Sequence, residues 1–348
     1  MSIRGRPAPT AQSYGAAGVS RHIGGNPRGG DPFLTEAIRG LLTRRPDLSA
    51  RGPAPLWLLP TMLALSAGFG FGMVLEPLVT LGGFGFLLIA PFAAGTLVRL
   101  LAAIEVLRRP AGPARPTLRA VPDDRLPFYT VLVPLHDEPD VLPALVRGLA
   151  ALDYPPHRLD LVLVLEMRDA ATRSAAARLV LPLNMRIVLV PTGGPKTKPK
   201  ALNYALSTVQ GDLIVVFDAE DRPEPDQLRR AADAFAGAGP DLACLQARLN
   251  VYNADDGFFA RQFALEYSAL FDGLLPALER LGLPIPLGGT SNHFRLGALR
   301  AVGAWDPYNV TEDADLGTRL ARMGSRSGTI ASTTWEEAPN RRRIWLGQ

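Results

Sequence analysis

Acidic residues follow one apolar run of the sequence at a spacing that suits a divalent cation. Asp218, Glu220 and Asp221 come directly after the run 213–217. Because Asp218 and Glu220 are two residues apart, both carboxylates can reach one ion. Mg²⁺ and Mn²⁺ take hard oxygen ligands, often one or two carboxylates completed by substrate phosphates. The spacing predicts a Mg²⁺ or Mn²⁺ site at Asp218 and Glu220, with a solvated acidic loop as the alternative.

Three better-known phosphate or metal motifs are excluded. An EF-hand loop beginning at Asp218 needs an oxygen ligand fifth, Gly sixth and Glu twelfth, but Arg222, Pro223 and Arg229 stand there. The sequence lacks the G-x-x-x-x-G-K-[ST] pattern of P-loop enzymes. It also lacks a G-x-G-x-x-G pattern after the first predicted strand, which argues against a dinucleotide cofactor.

A second group of residues suits phosphate. Lys196, Lys198 and Lys200 lie on the Gly/Pro-rich stretch 193–200, which leads into a helical pattern. Ammonium groups and helix N-termini both bind phosphate oxygens. The stretch is interpreted either as a diphosphate site or as a solvated run of charge.

Four apolar runs must position these residues. They are rich in Val, Leu and Ile, as strands of a parallel sheet covered on both faces are, and they lie at Tyr129–Leu135, Leu159–Leu165, Arg186–Val190 and Leu213–Phe217. Helical patterns near 140–152, 169–180 and 199–209 alternate with them. Alternation of this kind predicts an open α/β sheet, in which ligands bind beyond the carboxyl ends of the strands. Carboxylates stand at those ends after the first run (Asp137, Glu138), the second (Glu166) and the fourth.

Composition limits the class of protein. The 348 residues are 47% hydrophobic with a mean hydropathy of +0.10, so part of the apolar content is expected in a bilayer. The net charge is only +4, which argues against nucleic-acid binding. Cys244 is the single cysteine, so no internal disulfide can form.

The N-terminal third is predicted to contain a membrane anchor. Residues 1–30 are rich in Gly, Pro, Ser and Arg and are predicted to be disordered. Residues 31–55 are interpreted as an amphipathic helix, capped by Asp31, with a linker. That helix lies either on a membrane surface or on the protein itself.

Two uncharged runs, Leu56–Leu75 and Leu78–Val98, are each long enough to span a bilayer. They predict two transmembrane helices within 56–107, joined tightly at Glu76-Pro77, with a buried hairpin of a soluble protein as the alternative. Glycines are expected to allow close helix contact, namely Gly68, Gly70 and Gly72 facing Gly82, Gly83 and Gly85. Arginines flank both ends of the pair, so both flanks are expected in the cytoplasm, followed by a linker at 108–127.

Five motifs in the remaining chain occur in a recognisable order. They are VPLHDE at 133–138, TKPKALNYAL at 197–206, FDAED at 217–221, GGTSNHFR at 288–295 and TED at 311–313. From about residue 128 the chain resembles glycosyltransferase family 2, in particular its membrane-embedded cellulose-synthase-like branch. The resemblance implies a GT-A fold over 128–348 and inverting transfer of a sugar from a nucleotide-diphosphate donor, a UDP-sugar.

The resemblance also implies roles for individual residues. Asp313 matches the general base, with Glu312 beside it, and Asp218 and Glu220 match the metal ligands. The implied donor-binding residues are Pro134, His136, Glu138, Glu166, Lys198, Asn203 and Asp218. The implied acceptor-side residues are Gly289, Thr290, Ser291, Asn292 and Gln348.

Two positions depart from the family pattern. The metal motif is D-A-E instead of D-x-D, and the strand end that usually carries paired aspartates reads Leu165-Glu166-Met167. Thr311-Glu312-Asp313 also has the pattern of a helix start with an acidic first turn, which is compatible with a role as base.

The Q-x-x-R-W motif of the family would begin at Gln348, the last residue, so its Arg and Trp and further membrane helices are expected beyond this sequence. The predicted function is extension of a growing β-glycan at a bacterial-type inner membrane, with the catalytic domain in the cytosol. The alternatives are transfer of a single sugar to a lipid carrier or other acceptor, and a non-catalytic nucleotide-sugar-binding fragment. Synthases of this type often work with other subunits, although nothing in the single chain requires one.

Overall fold

The computed structural model describes residues 31–108 and 121–338. The helices are α1 (Pro32–Arg44), α2 (Leu58–Leu75), α3 (Pro77–Arg108), α4 (Leu142–Ala150), α5 (Ala170–Ala176), α6 (Lys198–Leu206), α7 (Gln227–Gly237), α8 (Phe258–Tyr267), α9 (Leu275–Arg280), α10 (Leu296–Ala301) and α11 (Glu312–Arg322). A π-helical turn, Ser268–Leu274, joins α8 to α9. The strands are β1 (Tyr129–Leu135), β2 (Leu159–Glu166), β3 (Met185–Val190), β4 (Leu213–Val216), β5 (Arg222–Pro223), β6 (Leu242–Val251), β7 (Asn292–Arg295) and β8 (Arg326–Glu336).

All eight strands form one mixed sheet in the order β3-β2-β1-β4-β7-β6-β8-β5. The four strands predicted from the sequence form its parallel half, β3-β2-β1-β4. Next to β4, the polar strand β7 runs antiparallel and joins this half to β6. The predicted α/β sheet is confirmed, and it places the carboxyl ends of β1, β2 and β4 at one edge.

Helices cover both faces of the parallel half. Val131, Leu132 and Val133 are each 0% exposed, because Leu132 packs on the side of α6 while its two neighbours pack on the side of α4 and α7. Burying side chains of this size contributes roughly 1.5–3 kcal/mol each. Two-sided burial explains why these strands are continuous apolar runs.

The amphipathic helix α1 docks on the protein itself. Asp31 caps it as predicted, since its carboxylate accepts from Phe33 N at 2.9 Å and Leu34 N at 3.3 Å. Ala37 and Leu41 are buried against the core that includes α6. Of the two interpretations left open by the sequence, the structure has the docked one.

Helices α2 and α3 have the length and apolar composition needed to cross a membrane, at 18 and 32 residues. None of the residues of α2 is buried, and of α3 only Ala102 is. Helix α3 continues ten residues past the predicted end at Val98. Its last turns pack on α9 and on the π-helical turn before it, and Glu105 pairs with Arg280 at 3.5 Å.

The predicted role of glycine in this hairpin holds at a single position. A Cβ on Gly72 would lie 2.6 Å from Thr80 Oγ1, so the helices do approach closely there. The expectation is wrong for the other five glycines (Gly68, Gly70, Gly82, Gly83 and Gly85), where a Cβ would meet open space. Phe69 and Phe84 supply contact instead, with ring centroids 5.0 Å apart.

A buried histidine explains how a polar strand can lie in the middle of the sheet. His293 of β7 is 0% exposed. Its Nε2 donates to Gln227 Oε1 at 3.2 Å, so its Nδ1 accepts from the Tyr129 hydroxyl at 2.6 Å. Burial lowers the pKa of His293 to about 3. The neutral imidazole is therefore part of the folded structure.

We predict that His293→Gln is destabilising at pH 7.5 and that its penalty shrinks by about 2 kcal/mol at pH 5. The pKa of His293 is lower in the folded state than its ordinary value of 6.5, so the unfolded state binds the extra proton. The wild type therefore loses stability as pH falls through about 6.5, at about 1.4 kcal/mol per pH unit. Thermal unfolding of the detergent-solubilised proteins measures this. His157→Gln, at an exposed site, is the control, and a penalty independent of pH would contradict the prediction.

Candidate active site

An ammonium group links three elements at the carboxyl edge of the sheet. Lys198 is the first residue of α6, and its Nζ lies 2.6 Å from Asp218 Oδ1, just beyond β4. The same Nζ donates to the carbonyl oxygen of Gly289, ahead of β7, at 2.6 Å. Burial lowers the pKa of Lys198, but the carboxylates of Asp218 and Asp313 raise this pKa by more than burial lowers it, so the net shift is upward. Lys198 is thus held as a cation.

The buried carboxyl group of Asp221 fixes the loop after β4. Asp218 N donates to Asp221 Oδ2 at 2.7 Å, and the Thr290 hydroxyl donates to the same oxygen. Burial, then the charges of Asp218 and Glu336, raise the pKa of Asp221 well above its ordinary value. Asp221 is buried, and its carboxyl group therefore holds the backbone of the acidic motif in place.

Asp313, in the first turn of α11, is 9% exposed. Its Oδ1 accepts from the Trp305 indole Nε1 at 3.2 Å, and a Cβ on Gly289 would lie 3.9 Å from its Oδ2. Burial raises the pKa of Asp313 to about 7; Lys198 opposes this shift, and Glu312 adds to it. A carboxyl group that titrates near neutral pH is suited to proton transfer.

Glu138 lies beyond β1, at a turn whose backbone is hydrogen-bonded to the start of α5. Asp137 has a positive φ of 59°, its N–H donates to Asp169 Oδ2 at 2.6 Å, and Glu138 N donates to Thr172 Oγ1 at 3.0 Å. Burial raises the pKa of Glu138 to about 7, and the charges of Glu220 and Asp218 contribute to the rise. Glu138 therefore faces the same electrostatic field as the acidic motif.

The sequence analysis missed Glu336, at the end of β8. The Tyr267 hydroxyl donates to Glu336 Oε2 at 3.1 Å. Burial raises the pKa of Glu336 to about 7, Tyr267 opposes the shift, and Asp218 and Glu220 add to it. The signal in the sequence was the acidic pair Glu336-Glu337 after a run rich in Ser and Thr, but the pairing of β8 with β6 cannot be read from one sequence.

The carboxylates of Asp218 and Glu220 suit a divalent cation whose remaining ligands come from a bound substrate. Across residues 31–108 and 121–338 no three His, Cys, Asp or Glu side chains are arranged to hold a metal ion. Asp218 and Glu220 nevertheless raise the pKa of both Glu138 and Glu336, so negative charge is concentrated at this point. Mg²⁺ is usually bound by one or two carboxylates plus phosphates, and these two carboxylates match that pattern.

A shallow cleft of about 440 Å³ adjoins the site. It is lined by Lys198, Glu312, Thr197, Tyr308, Val310 and three prolines, among others. A larger cleft of about 590 Å³ lies at the opposite, amino end of β4, next to Asp212 and Arg295. The smaller cleft is the relevant one, because ligands of such sheets bind beyond the carboxyl ends of the strands.

Glu166, a predicted donor-binding residue, forms a buried ion pair in the structure. It is 6% exposed, and its Oε1 pairs with Nζ of Lys200, which is 1% exposed, at 2.6 Å. A buried ion pair fixes two elements, here β2 and α6. The Oε2 atom of Glu166 is buried without a hydrogen-bond partner among the described residues, so the donor contact of Glu166 stays a prediction.

Asn203, another predicted donor-binding residue, contacts protein backbone in the structure. Its Nδ2 donates to Trp305 O at 2.7 Å and Ala37 O at 3.2 Å, and its Oδ1 accepts from Trp305 N at 3.2 Å. Asn203 lies on the side of α6 that faces α1, because its Nδ2 reaches the carbonyl oxygen of Ala37. These contacts tie α6 to the backbone of α1 and Trp305, and the donor contact of Asn203 stays a prediction.

The acceptor-side motif is mostly framework as well. Thr290, Ser291 and Asn292 are at most 2% exposed. Ser291 Oγ donates to Thr334 Oγ1 at 2.7 Å, and Asn292 Nδ2 donates to Gly288 O at 2.5 Å. Gly289 is the member of the motif that reaches Lys198. His136 is exposed and Pro134 half-buried, and Gln348 lies outside the described residues.

We predict that Lys200→Met destabilises the protein by about 3–5 kcal/mol, because it leaves Glu166 buried and unpaired. Adding Glu166→Leu should restore most of the loss, since a buried ion pair replaced by apolar groups costs little. Chemical denaturation of the single and double variants measures both values. A single variant as stable as the wild type would contradict the buried pairing.

Comparisons with known proteins agree with this architecture. The chain is 28% identical over 235 residues to a beta-monoglucosyldiacylglycerol synthase of Synechocystis sp., covering 63% of this chain and 48% of that one. It is 26% identical over 208 residues to a probable glucomannan 4-beta-mannosyltransferase of Arabidopsis thaliana, covering 58% and 37%. The chain thus spans about half or less of the length of these relatives.

A solved structure shares the fold. A mannosyltransferase from Pyrobaculum calidifontis, in complex with GDP-Man and Mn²⁺, superposes with a TM-score of 0.55 at 24% identity, covering 74% of this chain and 70% of that one. The sequence profile described as Glycosyltransferase like family 2 matches residues 127–344, more than half of the chain. With its GT-A sheet and the ordered motifs at the edge of that sheet, this chain belongs to glycosyltransferase-like family 2.

Proposed function

We propose that this protein transfers a sugar from a nucleoside-diphosphate donor to an acceptor hydroxyl, with inversion at the anomeric carbon. The observation that carries the proposal is the pairing of a fixed cation with a buried, near-neutral carboxyl group across one loop. Lys198 binds the Gly289 carbonyl on one side of that loop, and Asp313 lies against it on the other. The two groups match the two charges that such a transfer develops.

In the proposed step, Asp313 accepts the proton of the acceptor hydroxyl as its oxygen attacks the anomeric carbon. The new bond joins that oxygen to the anomeric carbon, and the bond from this carbon to the diphosphate oxygen breaks. Negative charge then collects on the departing nucleoside diphosphate. Lys198 donates to it, as a preorganised cation at the start of α6. Trp305 holds the carboxyl group of Asp313 in place.

Asp218 and Glu220 are the residues that would hold Mg²⁺ or Mn²⁺. When bound, the ion would neutralise the diphosphate of the donor and the leaving group. Glu138 and Glu336 contribute to the negative field that favours a cation there. The Mn²⁺ in the structure of the Pyrobaculum calidifontis mannosyltransferase is consistent with this assignment.

The proposed acceptor is a growing β-glycan at a membrane. The two helices α2 and α3 would anchor the protein in a bacterial-type inner membrane, with arginines on both flanks in the cytosol. The glucomannan mannosyltransferase relative supports the glycan acceptor. The beta-monoglucosyldiacylglycerol synthase relative supports a second candidate, transfer of one sugar to a lipid. Incubating membranes with labelled donor separates the two, because a polymer stays at the origin of a lipid chromatogram.

We predict that Asp313→Asn lowers kcat for transfer by about 10²–10⁴-fold, the usual contribution of a general base. The change removes the proton acceptor but keeps the size of the side chain and its contact with Trp305. The measurement is nucleotide release from a panel of UDP- and GDP-sugars with Mn²⁺ or Mg²⁺. Asp124→Asn, an exposed carboxylate outside the site, is the matched control. Retained turnover in Asp313→Asn would reject Asp313 as base.

The pH dependence gives an independent prediction. The pKa of Asp313 is raised to about 7, so the carboxylate form that accepts the proton is lost as pH falls below that value. Activity should therefore rise about tenfold per pH unit below about pH 6 and level off above about pH 7.5. A profile of kcat/KM measured from pH 5 to pH 9 tests this. Activity that stays flat down to pH 5 would contradict it.

A further inference from the structure

The segment ahead of the membrane hairpin packs on the catalytic half of the chain. We call residues 31–52, which comprise α1 and the turn after it, the N-terminal strap. The strap precedes α2, yet its contacts are with α6 and with the loop Gly303–Tyr308 that leads to α11. Both of these elements carry groups of the proposed mechanism, since Lys198 begins α6 and Trp305 binds Asp313.

One contact fixes the loop through a buried carboxylate. Asp306 is 0% exposed, and its Oδ2 accepts from Ala50 N at 2.6 Å. Its Oδ1 accepts from Ser49 Oγ at 3.3 Å and from Tyr308 N at 3.1 Å. Two of the three donors to this buried charge therefore come from the strap. Without them, a buried carboxylate would lack most of its hydrogen bonds, which is costly.

Two further contacts hold the same loop. The Arg51 guanidinium lies 4.8 Å from the centre of the Tyr308 ring and donates to its hydroxyl at 3.0 Å. Gly303 has a φ of 86°, and a Cβ there would lie 2.6 Å from Leu41 Cδ1 of α1. The Leu41 side chain of α1 therefore packs directly against Gly303, where a residue with a Cβ would make Leu41 shift and would strain the backbone at this φ.

Asn203 connects the strap, α6 and the loop. Its Nδ2 reaches the carbonyl oxygens of both Ala37 and Trp305, and its Oδ1 accepts from Trp305 N. The backbone of Trp305 is thus bound to α6 at a point that α1 also contacts. The indole of Trp305 is 0% exposed and has little room to move, with Phe294 against it at 6.0 Å.

We propose that the N-terminal strap positions the catalytic base, with Asp306 as a positioning residue that acts through Trp305. Donors at Ser49 and Ala50 hold Asp306, the loop then fixes Trp305, and Trp305 Nε1 fixes Asp313. The inference rests on the proposed function, because it assigns the strap a role in the step that Asp313 performs. Displacing a reacting group by about 1 Å can cost about 100-fold in rate.

The test uses variants of the whole membrane-bound protein that weaken this link. Asp306→Asn keeps the size of the side chain but loses one acceptor oxygen. Ala50→Pro removes the N–H donor, and Ser49 at φ −98° and ψ 137° already has a conformation that a following proline accepts. Asp47→Asn, an exposed carboxylate of the strap that pairs with Arg45, is the matched control.

Binding of UDP in the presence of Mn²⁺ gives both the number of binding sites and the Kd for UDP. The rate of transfer in the same sample, divided by that number, gives kcat per binding site. We expect both variants to lose about 10- to 100-fold in kcat per binding site with unchanged Kd. A purely structural strap would lower the number of binding sites and leave kcat per site as in the wild type. That result would overturn the proposal. Arg51→Met, which weakens the strap's contact with Tyr308 of the same loop, replaces any variant that binds no UDP.

A double-mutant cycle with Trp305→Phe tests the route. If Asp306 acts through the indole, Asp306→Asn should have little further effect on kcat per site once Trp305 is Phe. Multiplicative losses would overturn the proposed route. A wild-type protein that binds UDP but transfers no sugar would instead reject the proposed function, so the two failures are distinguishable.

Discussion

The ammonium group of Lys198 is the interaction on which the rest of the site depends. Five carboxyl groups interact electrostatically around the loop that it contacts: Glu138, Asp218, Glu220, Asp313 and Glu336. Like charges at this density repel one another unless cations lie among them. By binding Asp218 and the Gly289 carbonyl, Lys198 joins the ends of β4, α6 and the loop before β7. The sheet brings these ends to one edge, and the positive charge of Lys198 offsets the repulsion between the carboxyl groups there.

A limited part of this arrangement could be predicted from the sequence. The parallel half of the sheet was predictable because two-sided burial leaves an uninterrupted apolar run, as in Val131–Val133. Strand β7 was not, because His293 is a buried polar group whose partners, Tyr129 and Gln227, come from distant parts of the chain. Polar burial of this kind depends on the whole fold and leaves no local pattern.

The candidate site divides in the same way. Residue type and spacing pointed to Asp218 and Lys198, and the family resemblance pointed to Asp313; the structure brings all three to the loop that contains Gly289. The same reasoning could not tell that Glu166 pairs with Lys200 or that Asn203 binds the backbone of Trp305. Motif position cannot separate a side chain that faces ligand from one that holds the motif in place. Glu336 was missed because the resemblance gives it no role, and because the pairing of β8 with β6, which brings it near Asp218 and Glu220, leaves no local pattern.

The apolar hairpin α2–α3 and the half of the chain that carries the candidate site are joined at two places along the chain. Ahead of the hairpin, the N-terminal strap packs on α6 and on the loop that carries Trp305. After the hairpin, the last turns of α3 pack beside α9, with Ala102 buried and Glu105 paired to Arg280. Contacts with the unit that carries the proposed chemistry therefore flank the hairpin on both sides. In the proposed membrane-bound protein, these contacts would hold the candidate site at a fixed position relative to the membrane.

The most direct test of a single displacement assisted by Asp313 is the anomeric configuration of the first product. Proton NMR of the product, recorded at early times with an α-linked nucleotide-sugar donor, reads it from the coupling of the anomeric proton. A β-linked product is the predicted result, because attack from the face opposite the diphosphate inverts the centre. An α-linked product would contradict the displacement and the role of Asp313 as its base.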